Sequence, residues 1–342
     1  MSDAAAPRLL VVRLGSLGDL VHTLPAVAAL HRARPDTAID WLVDRVHRDF
    51  LELVPAIASI VTLDRPTLAG WRDVRRRLRA QRYEAALDFQ GLLKSAALAR
   101  LSGAARVAGF DRAALRERAA AWLYTERIDV GEGRHVIDKN LALAAAFGAA
   151  TMPREFPLAP VTSAALETLR AQGIDRFALI NCGAAWPNKR WPADRFGQVA
   201  AWLREHRGLR SVALWGPGEA RLASEVVRLS GGAATAAPAT GLRDLVALSR
   251  AASLMVSGDT GPTHIAGAVG TPIVAIFGPT DPSRNGPWDA DDRVVSRYGA
   301  CDCHYQRVCH RSSDRWCLLD VSVEDVRRAI DERLAAAARA AC

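Results

Sequence analysis

Short apolar runs alternate with segments of helical periodicity along most of this chain. The runs lie at residues 9–14, 39–43, 60–63, 85–89, 106–109, 177–181, 212–215, 254–256 and 273–277. Their length and their turn-forming flanks are typical of buried strands. Helical periodicity is clearest at residues 20–32, 263–269 and 323–340. Strands that alternate with helices predict an α/β fold built on parallel sheets.

A proline-rich segment divides this pattern into two halves. Residues 152–160 read MPREFPLAP, and three prolines in nine residues exclude a helix or a central strand. The length of 342 residues favours two domains of roughly 150 residues each. We therefore predict an N-terminal domain at 1–160, a C-terminal domain at 161–325 and a final helix at 326–342. Two facing Rossmann-like domains of this kind would leave a ligand-binding cleft between them.

The composition indicates an anionic partner and a reducing compartment. The formal net charge is +8 and the isoelectric point is near 9.6, which favours binding to nucleic acid, anionic lipid or phosphorylated sugars. No apolar run reaches the ~18 residues that span a bilayer, and the first residues lack the pattern of a secretion signal. We expect a cytoplasmic protein. Most of the six cysteines lie in one late cluster, which argues against a disulfide framework.

Glycine-rich turns follow a strand in each half. In the sequence GSLGD at residues 15–19, glycines let the backbone approach a ligand and Asp19 stands at a helix start. An ionised aspartate there can accept a proton from an attacking hydroxyl, although Asp19 as a simple helix cap is the alternative. In SGDTGP at residues 257–262, free N–H groups and the helix dipole favour an anion such as a diphosphate. Helix capping alone is again the alternative.

Two charged residues follow other strands of the C-terminal half. Lys189 lies between Trp186 and Trp191 in a chain whose basic residues are nearly all arginine. A compact ammonium suits a phosphate oxygen, whereas a solvated loop is the alternative. Glu219 ends the next strand, where it could accept ribose hydroxyls or simply lie at the surface.

A run of arginines occupies one predicted helix of the N-terminal half. Residues 72–82 carry six arginines, and Lys94 follows soon after in QGLLKS at residues 90–95. Such a run is usually a solvated helix face. A polyanionic acceptor at a membrane surface also fits it, whereas the few neighbouring aromatics do not favour nucleic acid.

Together, five motifs resemble one family. They are GSLGD at 15–19, QGLLKS at 90–95, KRWP at 189–192, DTGPTH at 259–264 and FGPTDP at 277–282. In order and approximate spacing they are similar to the lipopolysaccharide heptosyltransferases of glycosyltransferase family 9. The QGLLKS element resembles the heptosyltransferase I branch in particular.

The resemblance implies a GT-B fold and an inverting transfer that requires no metal or other cofactor. The donor would be ADP-L-glycero-D-manno-heptose in the C-terminal domain, and the acceptor Kdo-substituted lipid A in the N-terminal domain, with the enzyme peripheral at the cytosolic face of the inner membrane. Asp19 would be the general base and Lys189 the diphosphate ligand. The remaining donor-binding residues would be Glu219 and Thr240 near the adenosine and Asp259, Thr260, Gly261 and His264 in the donor loop. The acceptor-binding residues would be Arg76, Lys94, Arg116 and His135.

A late cysteine cluster stands apart from these motifs. Cys301, Cys303, Cys309 and Cys317, with His304 and His310, offer enough ligands for a tetrahedral zinc or iron site. The alternative is a set of buried, reduced thiols in a loop.

Four functions remain open at this point. The sequence best predicts a heptosyltransferase of the lipopolysaccharide core. Its rivals are another family 9 transferase with a different nucleotide sugar or a protein acceptor, a GT-B nucleotide-sugar 2-epimerase, and a non-catalytic module that docks on anionic lipid. The last would need neither Asp19 nor Lys189.

Overall fold

The chain forms two compact units, each built on one parallel sheet. A computed structural model describes residues 6–64, 67–149, 153–309 and 316–340. The N-terminal unit comprises Met1–Ala159 and the C-terminal unit Pro160–Cys342, so the division falls at the end of the proline-rich segment. In the part of the chain that the structure describes, no helix has the length and apolar character to cross a membrane.

The N-terminal unit has a six-stranded sheet of order β3-β2-β1-β4-β5-β6, with every neighbouring pair parallel. The central strands are buried apolar runs because helices cover both faces of a parallel sheet. The strands are β1 (Arg8–Val12), β2 (Ala38–Asp44), β3 (Ser59–Leu63), β4 (Ala85–Asp88), β5 (Arg106–Phe110) and β6 (Glu126–Ile128). The helices are α1 (Leu17–Ala33), α2 (Arg48–Leu51), α3 (Leu68–Ala80), α4 (Leu93–Leu101) and α5 (Val136–Ala145).

The C-terminal unit repeats this arrangement with the order β12-β11-β10-β7-β8-β9, again all parallel. Its strands are β7 (Phe177–Asn181), β8 (Arg210–Leu214), β9 (Ala234–Ala236), β10 (Leu254–Gly258), β11 (Ile273–Phe277) and β12 (Arg293–Ser296). Its helices are α6 (Ala164–Ala171), α7 (Ala193–Arg207), α8 (Ala220–Leu229), α9 (Leu242–Ala251), α10 (Gly261–Ala268), α11 (Pro282–Asn285) and α12 (Val323–Ala340). Helix α12 has the bounds that the periodicity predicts, so it begins before the predicted boundary at 326.

The structure corrects the start of the first helix. The periodicity predicts a helix from Leu20, but α1 begins at Leu17, and β1 ends at Val12 rather than at Leu14. Asp19 therefore lies in the first turn of α1, not in the loop that precedes it. Acidic residues are favourable in a first turn because they face the positive end of the helix dipole.

Three strands are absent from the sequence prediction: β6, β9 and β12. Each has three or four residues and only partial burial. All three are edge strands, whose exposed sides do not require the continuous apolar run that marks a central strand.

Candidate functional site

The glycine-rich turn after β1 holds Asp19 through both of its carboxylate oxygens. Asp19 Oδ1 lies 2.6 Å from a terminal nitrogen of Arg13, and Asp19 Oδ2 accepts hydrogen bonds of 3.1 Å from the backbone N–H and the hydroxyl of Ser16. The Asp19 side chain remains 36% exposed. Each carboxylate oxygen has two lone pairs, so these contacts leave capacity to accept a proton from a hydroxyl. Asp19 thus has the contacts of a helix-capping residue and the exposure that a base requires.

A buried carboxylate at the end of β4, Asp88, is linked to this turn through hydrogen bonds. Asp88 Oδ1 accepts from the N–H groups of Gln90 and Gly91 at 2.9 and 3.2 Å, and Oδ2 accepts from Ser95 Oγ at 2.8 Å. The side chain of Gln90 in turn accepts from Leu14 N at 2.7 Å. Burial raises the pKa of Asp88, while these hydrogen bonds oppose that effect. The QGLLKS motif therefore positions the GSLGD turn.

Most predicted acceptor-binding residues follow the carboxyl ends of strands in the N-terminal sheet. Lys94 lies in the first turn of α4, with Nζ 3.5 Å from Asp44 Oδ1, and Arg116 is exposed after β5. His135 precedes α5, and its Nδ1 accepts from the N–H of Ile137 at 3.2 Å. Loops at this edge line the ligand site of open α/β sheets.

Arg76 differs from the other predicted acceptor residues. It lies beyond the second turn of α3, is 81% exposed and pairs with Asp73 on the same helix at 2.6 Å. These contacts are those of a solvated helix face.

In the C-terminal unit, Asp259 is the centre of a buried polar network. Its Oδ2 lies 2.5 Å from Lys189 Nζ and accepts from Thr280 Oγ1 at 2.7 Å. Its Oδ1 accepts from Asn285 Nδ2 at 2.8 Å and lies 3.5 Å from His264 Nε2. Asp259 is only 7% exposed. Burial alone would raise the pKa of Asp259, but the His264 hydrogen bond and the Lys189 charge outweigh it and hold the pKa well below its usual range.

The ammonium of Lys189 is held on two sides. Besides its contact with Asp259, Nζ lies 4.6 Å from the centre of the Trp186 ring, which is the geometry of a cation–π contact. The Lys189 side chain is 15% exposed, so its ammonium is mostly shielded from solvent but remains accessible to a ligand. The positive charge expected at Lys189 is therefore fixed in place, and its partner, Asp259, is one that the sequence did not indicate.

The turn before α10 is pinned by short side chains. Thr260 is the N-cap of α10, and its Oγ1 accepts from Asn181 Nδ2 at 2.9 Å. The hydroxyl of Thr263 donates to the carbonyl of Gly258 at 2.6 Å. The first turn of α10, which starts at Gly261, is consequently fixed, with N–H groups that have no partner within a helix.

The two predicted adenosine-side residues follow β8 and β9. Glu219 Oε2 accepts from Gly216 N at 3.1 Å, and its carboxylate lies against Gly183, where a Cβ would collide with it. A larger residue at 183 would therefore displace the Glu219 carboxylate from this position. Thr240 is half-buried just before α9. All predicted donor residues thus follow the carboxyl ends of neighbouring strands, as the fold requires of a ligand-binding edge.

Sequence analysis missed Arg13, Thr280 and Asn285. Thr280 lies within the FGPTDP motif, so its hydroxyl was a signal that could have been used. Arg13 is the one charged residue within the apolar run at 9–14, which was also a usable signal, whereas Asn285 lies outside every motif and carried none.

The late cysteines come together. Cys301, Cys303, Cys309 and Cys317 line one small cavity, and the Sγ atoms of Cys303 and Cys309 are 3.7 Å apart. Burial, then the neighbouring Cys301, raises the pKa of Cys317 to about 12. Within the described residues, no three His, Cys, Asp or Glu side chains are arranged to hold a metal ion, and His310 lies outside those residues. A metal at these cysteines stays a prediction.

Comparison with known proteins identifies related sequences over most of the chain. Residues 71–312 match the model of glycosyltransferase family 9 (heptosyltransferase). Lipopolysaccharide heptosyltransferase 1 of Pseudomonas aeruginosa is 31% identical over 304 residues, which cover 82% of this chain and 81% of that protein.

Solved structures share the fold. A family 9 glycosyltransferase from Veillonella parvula matches 96% of this chain and 97% of its own with a TM-score of 0.81 at 24% identity. Escherichia coli heptosyltransferase WaaC with ADP-2-deoxy-2-fluoro heptose matches 95% of this chain and 99% of its own with a TM-score of 0.74 at 23% identity. The predicted α/β class with Rossmann-like units and parallel sheets is confirmed.

Proposed function

Because this chain belongs to glycosyltransferase family 9, the heptosyltransferases, we propose that it transfers heptose from ADP-L-glycero-D-manno-heptose to the Kdo–lipid A inner core of lipopolysaccharide. The observation that carries the proposal is the relation, over most of both chains, to a lipopolysaccharide heptosyltransferase 1. The site geometry is compatible with it, since each unit presents polar residues after the carboxyl ends of its strands.

The C-terminal unit is proposed to hold the nucleotide sugar. The first-turn N–H groups of α10, at Gly261 and beyond, and the nearby ammonium of Lys189 suit a diphosphate. Asp259 and His264 keep that ammonium and the turn in place, with Thr260 at the helix start. Glu219 follows β8 and Thr240 follows β9, and both are assigned to binding of the adenosine.

The N-terminal unit is proposed to hold the acceptor and the base. The acceptor hydroxyl oxygen attacks the anomeric carbon of the heptose, and its proton passes to the carboxylate of Asp19. The bond between the anomeric carbon and the diphosphate oxygen breaks, and its electron pair leaves with ADP. Attack opposite the leaving group inverts the anomeric centre, and a positioned base of this kind contributes ~10²- to 10⁴-fold to the rate.

Acceptor recognition is assigned to Lys94, Arg116 and His135, in the unit that contains Asp19, with Arg76 attracting the anionic lipid from the helix surface. The net charge of +8 supports peripheral association with the anionic inner membrane. No metal or other cofactor has a role in this chemistry, because Lys189 and the helix dipole supply the positive charge that stabilises the departing diphosphate.

One assay separates the proposal from its rivals. The full chain is incubated with Kdo–lipid A and a panel of ADP- and UDP-sugars, and products are detected by mass spectrometry. Heptose transfer from ADP-heptose alone is expected. Transfer of another sugar identifies a different family 9 transferase. Sugar isomerisation without acceptor identifies an epimerase, and absence of all turnover favours a lipid-docking module.

A further inference from the structure

We infer that Arg13 is a positioning residue for the transfer reaction: its buried guanidinium fixes the orientation of Asp19 and keeps a positive charge against that carboxylate. The inference rests on the proposed function, because it concerns the same base. Arg13 lies just after β1, and its side chain is 8% exposed.

The guanidinium joins two elements that approach the carboxyl edge of the sheet. One terminal nitrogen donates to the carbonyl oxygen of Phe89, just after β4, and the other lies 2.6 Å from Asp19 Oδ1 in the first turn of α1. The Arg13 main chain is fixed as well, since its N–H donates to Leu42 O at 3.2 Å and its carbonyl accepts from Trp41 Nε1 at 3.0 Å. The cation is therefore held between the end of β4 and the first turn of α1, and its main chain is anchored to β2.

The Nε–H of Arg13 is buried and has no hydrogen-bond partner among the described residues. A buried donor without a partner weakens the fold, and such groups call for an explanation. Here the contacts of the two terminal nitrogens with Phe89 and Asp19 set the position of the guanidinium, and in that position Nε has no partner.

The contacts of Asp19 explain why this orientation matters. Ser16 binds Oδ2 and Arg13 binds Oδ1, so the carboxylate is clamped from two sides and presents a fixed edge outward. Removing Arg13 takes away the ion pair at Oδ1, which is the contact that holds this side of the carboxylate. A misplacement of about 1 Å at a reacting group costs on the order of 10²-fold in rate.

The test compares kcat for heptose transfer in Arg13→Gln and Arg13→Lys with the parent protein. Glutamine is shorter than arginine and has no charge, so it removes the ion pair with Asp19; kcat should fall about 10- to 100-fold, with unchanged ADP affinity and a nearly unchanged KM for the donor. Lysine keeps the charge but cannot reach both partners, so its kcat should fall only severalfold. Parental kcat in either folded variant overturns the inference.

A double substitution distinguishes positioning from general destabilisation. In an Asp19→Asn background, Arg13→Gln should cause little further loss of kcat, because the group that it orients is already gone. Equal losses in both backgrounds would mean that Arg13 acts independently of Asp19, and would overturn the inference.

The chain offers a matched control in Arg8, the first residue of the strand that Arg13 follows, which pairs with buried Asp40 at 2.6 Å. Arg8→Gln should lower the melting temperature yet leave kcat at the parental value. A loss of kcat in Arg8→Gln equal to that in Arg13→Gln would show that breaking any ion pair of this unit slows transfer. If the parent protein itself transfers no heptose, the proposed function fails; if the parent is active and Arg13→Gln equals it, only the positioning role fails.

Discussion

Replacement of Lys189 by alanine gives the sharpest test of the donor site, because Lys189 is placed both to stabilise Asp259 and to bind a diphosphate. Removing one partner of a buried ion pair typically costs about 3–5 kcal/mol. Asp259 keeps its contacts with Thr280, Asn285 and His264 in this variant. We therefore expect the free energy of unfolding to fall by about 2–3 kcal/mol, which is at or below the lower end of that range. For a unit the size of Pro160–Cys342, this lowers Tm by about 4–12 °C.

The same variant should bind ADP more weakly. A charge-assisted contact to a phosphate oxygen contributes about 1.5–3 kcal/mol, which corresponds to a Kd about 10- to 150-fold higher in Lys189→Ala. Isothermal titration calorimetry measures Kd, and calorimetric unfolding measures Tm. Lys94→Ala, in the other unit, should leave ADP affinity unchanged.

Thr280→Val separates the two effects, since it removes one hydrogen bond to Asp259 without removing a charge. It should lower Tm while Kd for ADP stays within about threefold of the parent. If Lys189→Ala behaves in the same way, with lower Tm and unchanged Kd, Lys189 is a structural partner of Asp259 and the diphosphate assignment is refuted.

Three further predictions concern the base, the acceptor and a buried carboxylate. Asp19→Asn should lose ~10²- to 10⁴-fold in kcat with parental ADP affinity, and a chelator should not reproduce that loss in the parent; parental turnover would mean that Asp19 only caps α1. Arg76→Glu should raise the KM for Kdo–lipid A. It should also reduce the dependence of that KM on salt, because salt screens the attraction of exposed charges beyond about 8 Å and the variant has lost that attraction. Unchanged acceptor kinetics would mean that α3 is only a solvated helix face. Burial raises the pKa of Asp292 to about 6 from 3.8, despite its hydrogen bond with Arg333. Protonation of Asp292 therefore contributes stability that is complete below the unfolded pKa and is lost as pH rises through about 6. The Tm difference between Asp292→Asn and the parent should consequently change between about pH 4 and 7. A constant Tm difference over this range would contradict the account.

The central strands could be predicted from the sequence because a parallel sheet is covered on both faces. Each inner strand must then be apolar along its whole length, as residues 273–277 are, and this leaves a local signal. The edge strands β6, β9 and β12 leave none, since they are short and only partly buried, whereas the edge strand β3 has three buried residues and does leave a signal. The start of α1 was missed because Gly18 and Asp19 interrupt the apolar pattern in its first turn, so the periodicity begins later than the helix.

The sequence also determined that Asp19, Lys189 and Asp259 lie in turns or first helical residues after strands, because glycine and proline mark those turns. Only the tertiary structure decided their partners. Lys189 and Asp259 are 70 residues apart, yet they meet because β7 and β10 are neighbours in the sheet. Thr280 joins them because β11 lies beside β10. Strand order sets which loops are adjacent, and it follows from packing of the whole sheet, so no local pattern could have shown which charge each carboxylate faces.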